Sequence, residues 1–558
     1  MTALLTDNLP LMTGAPNGIK KLRELILELA VRGKLVPQEP NDEPASELLK
    51  LIAEEKTRLL AEGKIRKQKP FADISDAEKL FELPCGWEWV RLGTIQTFTN
   101  GYAFKSHDFQ ETGVGVIRIG DVKREGFIST NEMVRFPEEK IFEIDNRYFV
   151  EPGDLVITMT GDVKLAFNRS DERFLLNQRV GKITIHQASE KYVCILLTTQ
   201  AQEKIEQASG SVISNVSTEE INNSVISLPP LAEQHRIVAK VEELMALCDR
   251  LEVQQADAES AHAQLVKALL DSLSKACNSE DYAQNWQRLA EHFHILFTTE
   301  SSIDALKQNL LQLAVMGKLV PQDPSDESAR ELLEQIAKEK ALWMAEGKIR
   351  KQKPLAEVLD DEKLFELPAG WIWTRLGDIC FTQTGTTPTK SQPELFGSDV
   401  PFIKPGDIHP DQVDYSGEGL SSLGVSQSGR IAKSGSLLMV CIGTIGKCNL
   451  IDRDCSFNQQ INSATLYKGL PKYLLIAARS AYFQGKAWGD SSSTTIAILN
   501  KGKWEAIPLP LPGLAEQYRI VTKVDELMAL CDQLKSRLTQ ARQLNEQLAS
   551  TLVEQAVI

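Results

Sequence analysis

The sequence predicts an α+β protein laid out as a tandem repeat with pseudo-two-fold symmetry, in which two small α+β domains are held in helical frames. Three observations predict it. Long blocks of sequence recur at a fixed distance; apolar residues step by fours and threes through a long segment after each domain; and the stretches between the repeated blocks carry short β-branched runs bounded by Gly, Asp and Ser.

The repeat comes first because it dictates the architecture. Ala61 to Pro70 recurs unchanged as Ala345 to Pro354, Gly33 to Gln38 as Gly317 to Gln322, and Glu78 to Pro84 as Glu362 to Pro368, all at an offset of 284. Downstream, Leu231-Ala-Glu-Gln234 returns as Leu514 to Gln517 and Glu243 to Asp249 as Glu526 to Asp532, at an offset of 283. The blocks between, Gly93 to Pro230 and Gly377 to Gly513, are nearly equal in length and share little sequence: Asn100-Gly-Tyr-Ala-Phe-Lys-Ser106 stands where the other copy has Thr384-Gly-Thr-Thr-Pro-Thr-Lys-Ser391. A duplicated catalyst keeps its chemistry in both copies. A duplicated reader of two targets keeps its frame and changes its reading surface.

The frames read as helices. In the second copy Ile520, Val524, Leu527, Cys531, Leu534, Leu538, Ala541, Asn545, Leu548 and Leu552 form a heptad seam, matched in the first by Ile237, Val241, Leu244, Cys248, Leu251, Gln255, Ala258, His262, Leu265 and Leu269. Each predicts a helix of about 40 residues, roughly 60 Å long. Two shorter amphipathic helices precede each divergent block: Ile19 to Leu29 and Leu48 to Leu59, then Ile303 to Leu313 and Leu332 to Trp343. Inside the blocks, Val116 to Ile119, Asp154 to Thr160 and Ser436 to Ile442 read as strands. The clusters Gly86-Trp-Glu-Trp89 and Gly370-Trp-Ile-Trp373 open the two blocks. Their repetition in the shared frame favours core anchoring over base stacking.

Composition narrows the function without choosing it. The chain has 558 residues, 42% hydrophobic and 25% charged, which is a globular composition. Lys+Arg 62 against Asp+Glu 76 leaves a net charge of −14, so any nucleic-acid binding has to come from local basic patches. Nine cysteines without C-x-x-C or Cys/His spacing read as reduced thiols. With no apolar run of membrane-spanning length and no signal-peptide pattern at Met1 to Asn17, the expected location is cytoplasmic, away from any membrane.

Enzymatic motifs are missing. Gly443-Thr-Ile-Gly-Lys447 is too short for a phosphate loop, Gly113 and Gly115 lack the third glycine of a dinucleotide fingerprint, and Pro229-Pro230 is flanked by leucines, unlike the polar-Pro-Pro-aromatic motif of base amino-methyltransferases. Isolated carboxylates such as Asp121, Asp154 and Asp407 read as turn or surface residues. Binding remains. The duplicated runs Lys64-Ile-Arg66-Lys67-Gln-Lys69 and Lys348-Ile-Arg350-Lys351-Gln-Lys353 suit phosphate contact or a solvated linker, two readings that stand level. Lys105, Ser106, Arg118, Lys123, Arg124 and Arg179 in the first block, and Thr387, Lys390, Lys404, Lys447 and Gln459 in the second, have the chemistry for phosphate and base-edge hydrogen bonds.

The order of arm, divergent block, then Leu228-Pro-Pro-Leu-Ala-Glu-Gln-His-Arg-Ile-Val238 leading a long helix, repeated to Leu511-Pro-Gly-Leu-Ala-Glu-Gln-Tyr-Arg-Ile-Val521, closely resembles the specificity subunits of type I restriction-modification systems. Gly18 to Gln38 looks like the helical arm of one subgroup, and Gly513 in place of Pro230 is a single departure in a cap. The resemblance implies a non-catalytic chain with an N-terminal arm at 1–82, target recognition domains at 83–230 and 367–513, a central helical region at 231–366, and a C-terminal spacer helix at 514–558, the two long helices running antiparallel. It implies double-stranded DNA as ligand, read in two halves. It further implies two modification subunits bringing S-adenosylmethionine to methylate adenine N6, and restriction subunits bringing ATP and Mg, with no cofactor in this chain. Two alternatives stay open on the residues alone, a coiled-coil adaptor without DNA readout and a fused DNA-modifying enzyme. On the ruler reading of the long helices, deleting one heptad from each removes about 10 Å of helix and is expected to shorten the preferred gap between half-sites by about three base pairs, a change that methylation of sites with graded gaps would register.

Overall fold

The computed structural model describes residues 9–123, 126–161, 163–207, 217–276, 279–351, 353–428, 430–492 and 496–557. The chain divides into two compact units, one of residues 1–257 with 542–558 and the other of 258–541.

In the first unit the arm helices Gly18–Val31 and Ala45–Ala61 form where the apolar spacing predicts them, burying Leu22, Leu25, Ile26, Leu29, Leu48 and Ile52 in one core. The chain then enters β1 (Glu88–Arg91) and β2 (Gln96–Asn100), and continues through β3 (Val114–Ile117), β4 (Arg135–Phe136), β5 (Phe149–Val150), β6 (Leu155–Thr158), β7 (Leu165–Phe167), β8 (Phe174–Leu176) and β9 (Val180–Ile185). It leaves by β10 (Val225–Leu228), which lies antiparallel to β1 with Glu88 opposite Leu228 and leads directly into the helix Leu231–Lys275. Two four-stranded sheets make the body of the domain, in the orders β2-β9-β6-β7 and β4-β3-β8-β5, and β3 runs parallel to β8.

The second unit repeats this plan. Arm helices Glu300–Val315 and Ala329–Ala345 lead to β11 (Ile372–Arg375), β12 (Cys380–Thr384), β13 (Phe396–Ile403), β14 (Gly419–Leu420), β15 (Leu437–Val440), β16 (Cys448–Leu450), β17 (Ser456–Phe457), β18 (Ile461–Leu466) and β19 (Pro508–Leu511). β11 pairs with β19, the antiparallel sheet has the order β12-β18-β15-β16, and β13 runs parallel to β17. The divergent blocks therefore share a topology that their sequences do not announce. The helices Ser279–Glu291 and Phe293–Leu296, ahead of the second arm, have no counterpart among the predicted elements.

The long helices are Leu231–Lys275 and Leu514–Val557. Their N-terminal halves bury the predicted seam at Ile237, Val241, Leu244 and Cys248, and at Ile520, Val524 and Cys531. Farther along the seam moves by one residue: Val266 and Leu270 are buried while Leu265 is 52% exposed, and Ala549 is buried while Leu548 is 45% exposed. The displacement has a simple cause. Cys248 to Val266 and Cys531 to Ala549 are each 18 residues, five turns at 3.6 residues per turn, so the buried stripe follows the helix's own period where a strict heptad drifts off it.

The repeated motifs are the joints of each frame. Glu233 and Gln234 lie in the first turn of the long helix and are buried, as are Glu516 and Gln517. The Glu233 carboxylate accepts from Trp87 Nε1 at 2.9 Å and from Gln38 Nε2 at 2.6 Å; Glu516 accepts from Trp371 Nε1 at 2.8 Å and Gln322 Nε2 at 2.7 Å. Gln234 accepts from the Ser189 backbone N–H and donates to Pro229 O, as Gln517 does with Leu470 and Pro512. Arg236 clasps Asp42 with both terminal nitrogens, and Arg519 clasps Asp326. One turn of helix thereby binds an arm, the opening tryptophan and the end of the divergent block. Trp87 and Trp371 are core anchors.

A second joint straps the segment after each arm to the domain. Arg91 bonds Glu78 through both terminal nitrogens and the Asn223 carbonyl, and Arg375 does the same with Glu362 and Ala506. Hydrogen bonds from Arg91 hold the Glu78 carboxyl down at about 2, and those from Arg375 do the same for Glu362. A carboxyl depressed in the folded state stabilises it above its unfolded pKa near 4.5 and loses that contribution as pH falls toward 2. Pepsin cleavage between Pro70 and Leu83, measured against an unstructured peptide to remove pepsin's own pH response, is accordingly expected to be slower in the wild type than in Glu78→Gln at pH 4.5 and to converge with it as pH falls toward 2.

Candidate nucleic-acid interface

Each divergent block folds into a domain that gathers four loops at one end of its sheets. The first follows β2 or β12, the second follows β3 or β13, the third joins β6 to β7 or β15 to β16, and the fourth joins β8 to β9 or β17 to β18. Parallel pairing of β3 with β8 sets Ile117 beside Leu176, so Arg118 and Asn177 emerge next to each other, with Asn177 N–H donating to Ile117 O at 3.2 Å. In the second domain Ile403 pairs with Phe457, and Asn458 N–H donates to Ile403 O at 3.0 Å.

The loops after β3 and β13 are the same turn, Arg118-Ile-Gly-Asp121 and Lys404-Pro-Gly-Asp407. In both, the aspartate accepts the backbone N–H of the basic residue at 2.8 Å. Asp121 and Asp407 are thus turn residues, and burial pushes the Asp121 carboxyl up. The fourth loop is Asn177-Gln-Arg-Val180 in one domain and Asn458-Gln-Gln-Ile461 in the other. It is tied to the third by Met159 N–H donating to Arg179 O at 3.0 Å and Cys441 N–H to Gln460 O at 2.7 Å, and to the first by Tyr102 N–H on Leu176 O and Thr386 N–H on Phe457 O. Backbone bonds build the platform. Side chains at matching positions differ.

The structure brings some predicted residues together and separates others. Arg118 and Arg179 flank an open depression of about 400 Å³ floored by Ile119, Gly120 and Asn177. Arg179 Nη1 donates to Thr160 Oγ1 at 3.2 Å, and Arg118 Nε lies 3.7 Å from Asp121 Oδ2. Lys123 sits beside this turn and donates to Gly120 O at 2.6 Å. Lys105 and Ser106 stand apart, exposed on a turn beyond the aromatic cluster of Tyr102, Phe104 and Tyr148. Arg124 lies outside the described residues. In the second domain the Thr387 hydroxyl donates to Gln459 Oε1, and both are exposed. Lys390 is exposed on the same loop as Thr387. Lys404 Nζ pairs with Glu418 at 2.7 Å, while Lys447 Nζ donates to the Pro405 carbonyl at 2.7 Å and so braces the turn.

The duplicated basic runs belong to the frames. Lys64 pairs with Glu62 and Lys348 with Glu346, each at 2.7 Å, whereas Arg66, Lys67, Arg350 and Lys351 are exposed on extended chain after the arm helices. Asn177, Gln178, Asn458 and Gln460 escaped the sequence analysis. The signal was present in the repeated Asn-Gln pair, but at an offset of 281, where the frame repeats at 284.

A family model for the type I restriction modification DNA specificity domain matches residues 84–258 and again 368–542. The chain is 39% identical to the type I restriction enzyme EcoAI specificity subunit of Escherichia coli, over 97% of this chain and 94% of that one. It is 37% identical to the EcoEI specificity subunit of the same species, with the same coverage. Among solved structures, the HsdS subunit of Thermoanaerobacter tengcongensis aligns over 86% of this chain and 99% of its own, at 19% identity and a TM-score of 0.42.

Proposed function

The chain belongs to the family of type I restriction-modification DNA specificity subunits, and from that premise we propose how its two halves divide the work. It is the specificity subunit: DNA and the other subunits of the system are its partners, and catalysis lies elsewhere. Each recognition domain presents its four-loop tip to one half of a bipartite duplex site. Two modification subunits dock on the frames and bring S-adenosylmethionine, with which they methylate adenine N6 in each half. Restriction subunits add ATP- and Mg-dependent cleavage, and the assembly works in the cytoplasm. Among the described residues no helix is long and apolar enough to cross a membrane.

One observation carries the division into two readers. The two tips share their backbone bonds and differ in side chain at equivalent places, Arg118 against Lys404 and Arg179 against Gln460. Phosphate contacts alone would favour the same residues in both; different base targets demand different ones. Replacing 93–230 with the corresponding block of another such subunit is expected to change one half of the methylated site and leave the other intact. Genome-wide mapping of methylated adenines reads the outcome, and a change in both halves, or in neither, overturns the proposal.

A further inference from the structure

We propose that the depression between Arg118 and Arg179 receives the major-groove edge of a guanine, so that the half-site read by the first domain contains a guanine recognised by these two guanidinium groups. The inference rests on the reading of the domain as one of two DNA readers and goes on to name the base.

The depression is open, with Gly120 adding no side chain to its floor. A flipped base needs a closed pocket lined for stacking, so an open hollow at a loop tip suits a base edge still in the helix. Guanine offers two acceptors there, O6 and N7, and the five N–H donors of a guanidinium match them in a fork. Both arginines are steadied at one side only: Arg118 through its backbone N–H and the nearby Asp121 carboxylate, Arg179 through Thr160 and the Met159 backbone bond. Each keeps further donors beyond those bonds.

The second domain supplies the contrast. At the place of Arg118, the Lys404 ammonium is paired with Glu418. At the place of Arg179, Gln460 turns its Oε1 inward to accept from Asn458 Nδ2 at 3.0 Å. The exposed Thr387–Gln459 pair beside them is neutral, and the exposed cation on that loop is an ammonium, Lys390. The same platform thus carries two guanidinium groups in one domain and none at the equivalent positions of the other, which a common phosphate-binding role does not explain.

The test uses the full chain assembled with its modification subunits, after methylation mapping has given the site. The first half-site is expected to contain a guanine at which 7-deazaguanine, lacking the N7 acceptor, weakens binding of a synthetic duplex about five- to hundred-fold. Arg118→Ala and Arg179→Ala should each lose discrimination at that position, and the variant that removes the guanidinium bonded to N7 should become indifferent to the deaza substitution, while the second half-site is read as before. Arg118→Lys, which keeps the charge and the backbone bond to Asp121, should also lose the discrimination. A first half-site without guanine overturns the proposal. So does an equal loss of affinity on every sequence with a shallower salt dependence, the mark of a phosphate contact. Neither result touches the two-reader proposal, which fails only if exchange of 93–230 fails to move one half-site.

Discussion

Trp87→Ala is expected to destabilise the first unit by about 3–5 kcal/mol, the range for removing a buried aromatic side chain. The indole is 5% exposed and packs edge-on against Tyr192, which is itself buried and donates through its hydroxyl to Ser227 O. Its loss opens a cavity and also strips the buried Glu233 of one of two hydrogen bonds, a penalty of its own of roughly 1–3 kcal/mol. Trp87→Phe should therefore fall between wild type and alanine, because it restores most of the volume and none of the hydrogen bond. Burial already pushes the Glu233 carboxyl up, so its charged form is the costly one and the folded state grows less stable as pH rises past the unfolded value. Glu233→Gln should remove that pH dependence. Since each unit has its own core, hydrogen exchange is expected to speed up in Ala45–Ala61 for Trp87→Ala and in Ala329–Ala345 for Trp371→Ala. Acceleration spread evenly over both arms would show that the joints do not act locally.

Those joints were legible because both copies keep them. Gln38, Trp87, Glu233 and Arg236 recur as Gln322, Trp371, Glu516 and Arg519, and a comparison at nearly constant offset finds them all. The residue-by-residue seam was legible as far as Leu251 in one helix and Leu538 in the other, which still pack on the cores, and beyond them the heptad count and the helix period part company. The tips were harder for a different reason. Their parts come from strands far apart in sequence and paired across the sheet, and loop-length changes shift the offset from 284 at Gly101 to 286 at Asp121 and 281 at Asn177. A comparison at one offset scrambles what the sheet aligns. Hence the bond from Lys447 to the Pro405 carbonyl was not legible in the sequence, and Gln460 was overlooked beside Gln459.

Gly101 and Gly385, which stand in loops of otherwise divergent sequence, are expected to be the least replaceable residues of the two tips. A methyl group on Gly101 would fall well inside contact distance of the Asn177 carbonyl and 2.7 Å from Leu176 O; on Gly385 it would meet the Phe457 and Asn458 carbonyls. Every one of these obstacles is backbone. The loop cannot withdraw either, because Gly101 N–H donates to Val180 O, Gly385 N–H to Ile461 O, and the next residue in each case donates to Leu176 O or Phe457 O. Alanine must break those bonds or push the Asn-Gln loop aside, at a cost of about 1–3 kcal/mol in stability. The larger effect falls on recognition, since the displaced loop carries Gln178 and Arg179 or Gln459. Specific binding exceeds non-specific binding by about 10³- to 10⁷-fold, so misplacing one of two readers should lower specific affinity about a hundred-fold or more. Gly101→Ala should abolish selection in the first half-site and Gly385→Ala in the second, measured as methylation of duplexes randomised in one half at a time. Selection in the named half that survived either change would mean that the base-reading side chains do not depend on this close approach of the two loops.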